Sequence, residues 1–203
     1  MDIFRSVEVR WFFDDAATPE IQVVRELFEA AHAEPVRTDV YLVTGREDLG
    51  FKARMLGGRA RLETKYRLGA LGPVELSPNV VGCVESWTKL SIENDDPQLE
   101  DQGRWLRVEK RRSLRKFAVN NDVVSEVSSD ANEEAGAGFE LTILGGDCAA
   151  GGCTLGIEAF GPEPRLLVTL LLVARFVFAR APGVVLGAGA SFGYPAWLER
   201  LAS

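Results

Sequence analysis

The sequence predicts an α+β fold, a run of antiparallel strands forming a sheet or barrel with a few helices packed on it. Three observations carry that expectation. Apolar and charged residues alternate with period two in one segment after another, as strands with one apolar and one charged face require. Short Gly-rich turns rather than helices separate these segments, which favours antiparallel pairing over βαβ units. Helical periodicity is confined to a few places, one near the N-terminus and the others near the C-terminus.

The first strand is read from "SVEVRWF", where Val7, Val9 and Trp11 alternate with Glu8 and Arg10. In "TPEIQVVRELFEAAH", Thr18 is the expected N-cap, Pro19 opens the first turn and Glu20 sits just inside it. Ile21, Val24, Leu27 and Phe28 share one helical face, so this helix is expected to cover a sheet, with His32 at its C-terminal end. Strand segments follow in "TDVYLVTG", "LGFKARMLG", "ARLETKYRLG", "VVGCVESWTKLSI", "GRWLRVEKRRSLRKF", "FELTIL" and "CTLGIEAFG", with turns such as "LGGR" between them. The acidic stretches "ENDDPQLEDQG" and "NNDVVSEVSSDANEEAGAG" are expected to be solvated loops. After Pro162 the run "LLVTLLLVARFVFA" reads as a buried helix. It is interrupted by Arg175 and falls short of the roughly 20 apolar residues of a membrane span.

At 203 residues and 46% hydrophobic, the chain is long enough to bury a real core, and one domain over residues 1–203 is expected. A net charge of −7 argues against general binding of nucleic acid or of anionic membrane. Three cysteines give no disulfide framework, and no N-terminal signal is visible, so a cytoplasmic location is expected.

The charged positions recur by strand: Lys52 and Arg54; Arg61, Glu63, Lys65 and Arg67; Glu85 and Lys89; Arg107, Glu109 and Arg111; Glu140; and Glu158. Taken one at a time, such faces merely meet water. As a set they have another reading, because Lys and Arg are concentrated in the strands of a protein whose acids are concentrated in its loops. An inward basic face interleaved with glutamates suits a polyanion accompanied by a divalent cation.

Other motifs carry less. "CAAGGC" places Cys148 and Cys153 across a turn without the second ligand pair of a zinc site. "GAGASFG" lacks the βαβ context of a dinucleotide fingerprint. No P-loop and no nucleophile elbow occurs. "EKRRSLRK", if a strand, divides its basic groups between two faces, which makes a nucleic-acid patch a poor reading.

The order of segments resembles the CYTH, or triphosphate tunnel metalloenzyme, superfamily, which includes thiamine triphosphatase-like enzymes. Its opening E-x-E-x-K strand is matched by Ser6-Val7-Glu8-Val9-Arg10, its basic strand by "FKARMLGG" with Lys52 and Arg54, and the next strand's lysine by Lys65. Glu140, "LGG" and Gly156-Ile157-Glu158 stand at the places of its late acidic hairpin, and "SFGYPAWL" at that of its closing segment. The resemblance implies an eight-stranded antiparallel barrel whose tunnel holds a triphosphate.

It implies Arg10, Lys52, Arg54, Lys65, Arg107 and Arg111 as phosphate ligands, with Lys89 and Arg115 as further candidates. It also implies Glu8, Glu140 and Glu158 around Mg²⁺ or Mn²⁺, with Glu8 and Glu158 catalytic. The expected partner is an anionic, phosphate-bearing small molecule, with neither nucleic acid nor membrane involved.

The chain departs from the pattern where Ser6 and Gly156 replace glutamates and Arg10 replaces the lysine. Metal-dependent phosphoanhydride hydrolysis and non-catalytic binding of a phosphate ligand on the same fold therefore both stay open. The third alternative is a structural protein whose charged faces meet solvent.

Overall fold

The computed structural model describes residues 2–29, 31–56, 59–94, 104–146 and 151–202. The turn glycines Gly57 and Gly58, residues 95–103 of the first acidic stretch, and Cys148 lie outside them.

Among the described residues, ten strands and three α-helices follow one another. They are β1 (Asp2–Phe13), α1 (Pro19–Glu26), β2 (His32–Ala33), β3 (Arg37–Leu42), β4 (Leu49–Leu56), β5 (Arg59–Ser77) and β6 (Val80–Asn94). Then come β7 (Trp105–Asn120), β8 (Val123–Val127), β9 (Gly136–Gly146), β10 (Cys153–Phe160), α2 (Leu166–Phe178) and α3 (Tyr194–Ala202). Eight of the strands close into an antiparallel barrel in the order β7-β3-β4-β5-β6-β1-β10-β9, with β9 returning to β7. Strands β2 and β8 lie outside the circle and pair with β7.

The fold class and the barrel agree with the expectation, and two local readings are corrected. His32 does not end a helix: α1 stops at Glu26, and His32 pairs with Leu114 in the short β2–β7 ladder. The second acidic stretch is not loop throughout, because Asn121 and Asp122, at φ of 49° and 64°, make a tight hairpin turn that returns the chain as β8. Thr18 occupies the N-cap position, but its hydroxyl makes no capping bond.

The main core lies outside the barrel rather than within it. Val7, Val9 and Trp11 of β1, Phe139 of β9, and Leu155 and Ile157 of β10 point outward under α2, whose Leu170, Val173 and Phe178 are nearly inaccessible. Burial of each such side chain contributes roughly 1.5–3 kcal/mol. Trp11 meets Phe178 edge-on at 6.1 Å and donates its indole N–H to the Val81 carbonyl at 3.0 Å. Gly82 makes this packing possible, since a Cβ there would stand 2.3 Å from Val9 Cγ2 and 2.6 Å from Trp11 Cζ2. Ile21 and Val24 of α1 join the same core. None of the helices among the described residues is long and apolar enough to cross a membrane.

With the apolar faces spent on the outside, the charged faces of the strands turn into the barrel. A second, smaller core of Phe12, Tyr41, Val108, Leu144, Trp197 and Leu198 closes one end, where α3 enters as a plug.

Candidate functional site: a charged tunnel

β1 turns Ser6, Glu8, Arg10 and Phe12 to the lumen, and its neighbours follow from the register. Glu8 pairs with Glu158, and Arg10 with Gly156, across the β1–β10 ladder; Gly156 in turn pairs with Glu140 of β9. On the other side, Asp39 pairs with Arg54 and Lys52 with Glu63. The result is a cavity of about 130 Å³ lined by seven cationic side chains (Arg10, Arg37, Lys52, Lys65, Lys89, Lys110 and Arg112) and four carboxylates (Glu8, Glu63, Glu140 and Glu158). Tyr194, Pro195 and Leu198 of α3 form its floor. Lys89, Arg112, Glu140 and Glu158 also line a second cavity of about 540 Å³, which opens at the opposite mouth beside Phe4, Ser129 and Phe160.

Three ion clusters organise the walls. In the first, buried Asp39 faces Lys110 Nζ at 3.3 Å, Arg37 Nε at 3.6 Å and Lys52 Nζ at 3.8 Å, and accepts the Tyr41 hydroxyl at 3.3 Å. Lys52 also reaches Glu63 at 2.6 Å, and Arg54 lies 3.7 Å from the same carboxylate. Burial alone would raise the Asp39 pKa, but Lys110, Lys52 and Arg37 bring it down to about 2. Burial pushes the Lys52 and Lys110 ammonium groups down to about 8 against the pull of Asp39.

In the second cluster, Glu140 accepts from Arg10 at 2.7 Å and from Arg112 at 2.9 Å. Burial works against its ionisation, yet the two guanidiniums hold it well below the usual carboxylate range. Arg112 also forks onto Glu34. In the third, Lys65 donates to Glu8 at 2.5 Å and lies 3.5 Å from Glu158. The nearby Lys65 ammonium lowers the Glu158 pKa.

The structure therefore gathers Glu8, Arg10, Lys52, Lys65, Lys89, Glu140 and Glu158 around one cavity, with Arg54 on the adjoining wall. It does not gather Arg107 or Arg111. Arg107 is exposed, and Arg111 is 70% exposed beside Glu109 on the outside of β7. Arg115 also points outward, to Glu126 and the Leu27 carbonyl. The inward face of β7 is Val108, Lys110 and Arg112 instead.

Arg37, Asp39, Tyr41 and Tyr194 escaped the sequence reading. The first three alternate with Thr38 and Val40, a period-two signal as clear as that of β4. Tyr194 becomes visible only once α3 plugs the barrel; its ring stacks on Tyr41 at 5.7 Å and lies 3.8 Å below Lys110 Nζ.

The lumen does not fit a divalent ion held by these carboxylates. Both oxygens of Glu140 are taken by guanidiniums, and Glu8 and Glu158 share the Lys65 ammonium. Among the described residues no three carboxylate, histidine or cysteine side chains converge as a metal site needs.

Comparison with solved structures finds similarity to a conserved hypothetical protein of Pyrococcus furiosus, with a TM-score of 0.51 and 13% identity over 94% of this chain and 98% of that one. Similarity to the PH1012 protein of Pyrococcus horikoshii has a TM-score of 0.50 and 16% identity over 91% of this chain and 93% of that one. What the chain shares with these two structures is the fold, a closed eight-stranded antiparallel barrel with flanking helices. The Pct1 RNA triphosphatase of S. pombe also aligns, with a TM-score of 0.41 and 11% identity over 98% of this chain and 80% of that one. No family model matches the chain. No curated protein matches it either.

Proposed function

We propose that the tunnel barrel binds a small molecule carrying a tri- or polyphosphate chain in its lumen. The observation that carries this reading is the concentration of seven cationic side chains around one cavity in a protein of net charge −7. Low-dielectric walls focus such a field and favour a multivalent anion. The side-chain geometry supports it further. The Nε donors of Arg10 and Arg54 are buried without a hydrogen-bond acceptor, and phosphate oxygens supply such acceptors. A cavity of about 130 Å³ takes phosphoryl groups in place of roughly four waters. A small-molecule ligand suits an inward basic surface better than nucleic acid does, because β7 divides the "EKRRSLRK" charges between lumen and exterior.

Binding is the reading this geometry favours over metal-dependent hydrolysis, since the carboxylates are engaged with lysines and arginines. Mg²⁺ or Mn²⁺ therefore has no step here.

Calorimetric titration tests the reading. Each additional phosphoryl group gains charge-assisted hydrogen bonds of roughly 1.5–3 kcal/mol. With two more phosphoryl groups, tripolyphosphate should thus bind at least about 100-fold more tightly than orthophosphate. Equal affinities, or no binding of either, would remove the lumen as a polyphosphate site.

A further inference from the structure

We propose that the Arg10 guanidinium is a resident cation of the phosphate site, occupying the Glu140 carboxylate that the family resemblance assigns to a metal ion, so that the ligand is the metal-free polyphosphate anion. The inference rests on the phosphate-binding reading above and deepens it.

The seat of the guanidinium is Gly156. A Cβ at that position would lie 2.8 Å from Arg10 Cζ and Nη2 and 2.9 Å from Nη1. The residue that stands at a family carboxylate position is therefore the one whose missing side chain makes room for a cation. Arg10 and Gly156 are one coupled feature rather than two separate losses. They are also direct cross-strand partners in the β1–β10 ladder.

The surroundings are built for a fixed charge. Arg10 is 6% exposed, lies 2.7 Å from Glu140 Oε1 and 3.3 Å from Thr154 Oγ1, and rests 5.0 Å over the Tyr194 ring. Its Nε has no acceptor, which leaves a buried, charged donor for a ligand oxygen. A guanidinium stays charged at every accessible pH and cannot be chelated or exchanged. A divalent ion brought to the same carboxylate would meet Arg10 and Arg112 as like charges.

Two titrations on the full chain test this. Mn²⁺ alone, followed by the electron paramagnetic resonance of the free ion, should remain unbound by the wild type. Tripolyphosphate in excess EDTA should bind saturably. Stoichiometric uptake of Mn²⁺ would overturn the inference. So would tripolyphosphate binding that appears only when metal is supplied, and in that case the phosphate site itself would stand. Absence of tripolyphosphate binding under both conditions would defeat the phosphate reading and this inference with it.

Two variants probe the coupling. Gly156→Ala drives a methyl group into the guanidinium, and Arg10→Lys keeps the charge but removes the fork. Each should weaken tripolyphosphate binding in EDTA by about tenfold. Wild-type affinity in Arg10→Lys, the milder change for folding, would overturn the assignment.

Discussion

Lys110 Nζ lies 3.3 Å from Asp39 Oδ2, with Asp39 fully buried and Lys110 only 4% exposed. Lys52 faces the same carboxylate at 3.8 Å, so one anion anchors two ammonium groups that burial has brought to about pKa 8. A polyphosphate adds negative charge beside both and favours their protonated forms.

Tripolyphosphate binding should accordingly take up protons near pH 8 and weaken as pH rises through that value. In the unliganded protein the sign reverses. The folded lysines release protons near 8, while the unfolded ones hold theirs to about 10.4, so their contribution to stability rises with pH across that window. Calorimetry in two buffers of different ionisation enthalpy reads the proton uptake directly. Affinity that is flat between pH 7 and about pH 9.5 would refute the role of this lysine pair.

Asp39→Asn removes the counter-charge from the cluster. With a folded pKa of about 2 against an ordinary 3.8, Asp39 stabilises the fold fully above pH 3.8 and loses that effect as pH falls through 2. Breaking a buried pair costs roughly 3–5 kcal/mol, so urea unfolding at pH 7 should show a loss of that order. The variant should also be less sensitive to acid between pH 4 and about pH 2. A urea midpoint unchanged from wild type would mean that the lysines find other partners.

Arg111 and Arg112 are adjacent in sequence and opposite in the barrel. Arg112→Ala removes a lumen cation and leaves Glu34 and Glu140 each without one partner. It should weaken tripolyphosphate binding by about tenfold or more. Arg111→Ala, on the 70%-exposed outer side, should change stability by no more than about 0.5 kcal/mol and leave affinity unaltered. Equal effects of the two substitutions would contradict the register of β7.

That register shows where sequence legibility ended. β1 was readable because its outward Val7, Val9 and Trp11 lie under α2, while Glu8 and Arg10 face the lumen. Applied to β7, the same rule gives Arg107 and Arg111 to the tunnel. It failed because this lumen is apolar at its plugged end and charged in its middle, so Val108, Lys110 and Arg112 share one face. Basic residues on both faces of β7 left nothing in the alternation to correct the error. The plug itself was invisible for a different reason. Tyr194 and Leu198 reach the lumen through the way α3 docks on the barrel, a long-range contact that no local period encodes.

Glu140→Gln separates the two roles a lumen carboxylate can have. As a metal ligand, Glu140 would help to bind a phosphate, and losing its charge would weaken binding. As a counter-ion to Arg10 and Arg112, at 2.7 and 2.9 Å, it competes with the phosphate for the same donors. The geometry gives the second outcome. The unliganded variant should be about 3 kcal/mol less stable, because two buried guanidiniums lose their shared anion. Its affinity for tripolyphosphate should rise about tenfold, since both guanidiniums turn to the ligand. Thermal unfolding with and without tripolyphosphate reads both effects together: a lower Tm alone, and a larger upward shift on adding the anion. The pH dependence follows from the same pairing. The folded Glu140 pKa is depressed, so its stabilisation is present above the ordinary carboxylate value and fades as pH falls below it. The variant has no such loss to suffer, and the gap between it and wild type should narrow in acid. Weaker anion binding by Glu140→Gln, with stability unchanged, would return Glu140 to the role of a ligand-holding carboxylate.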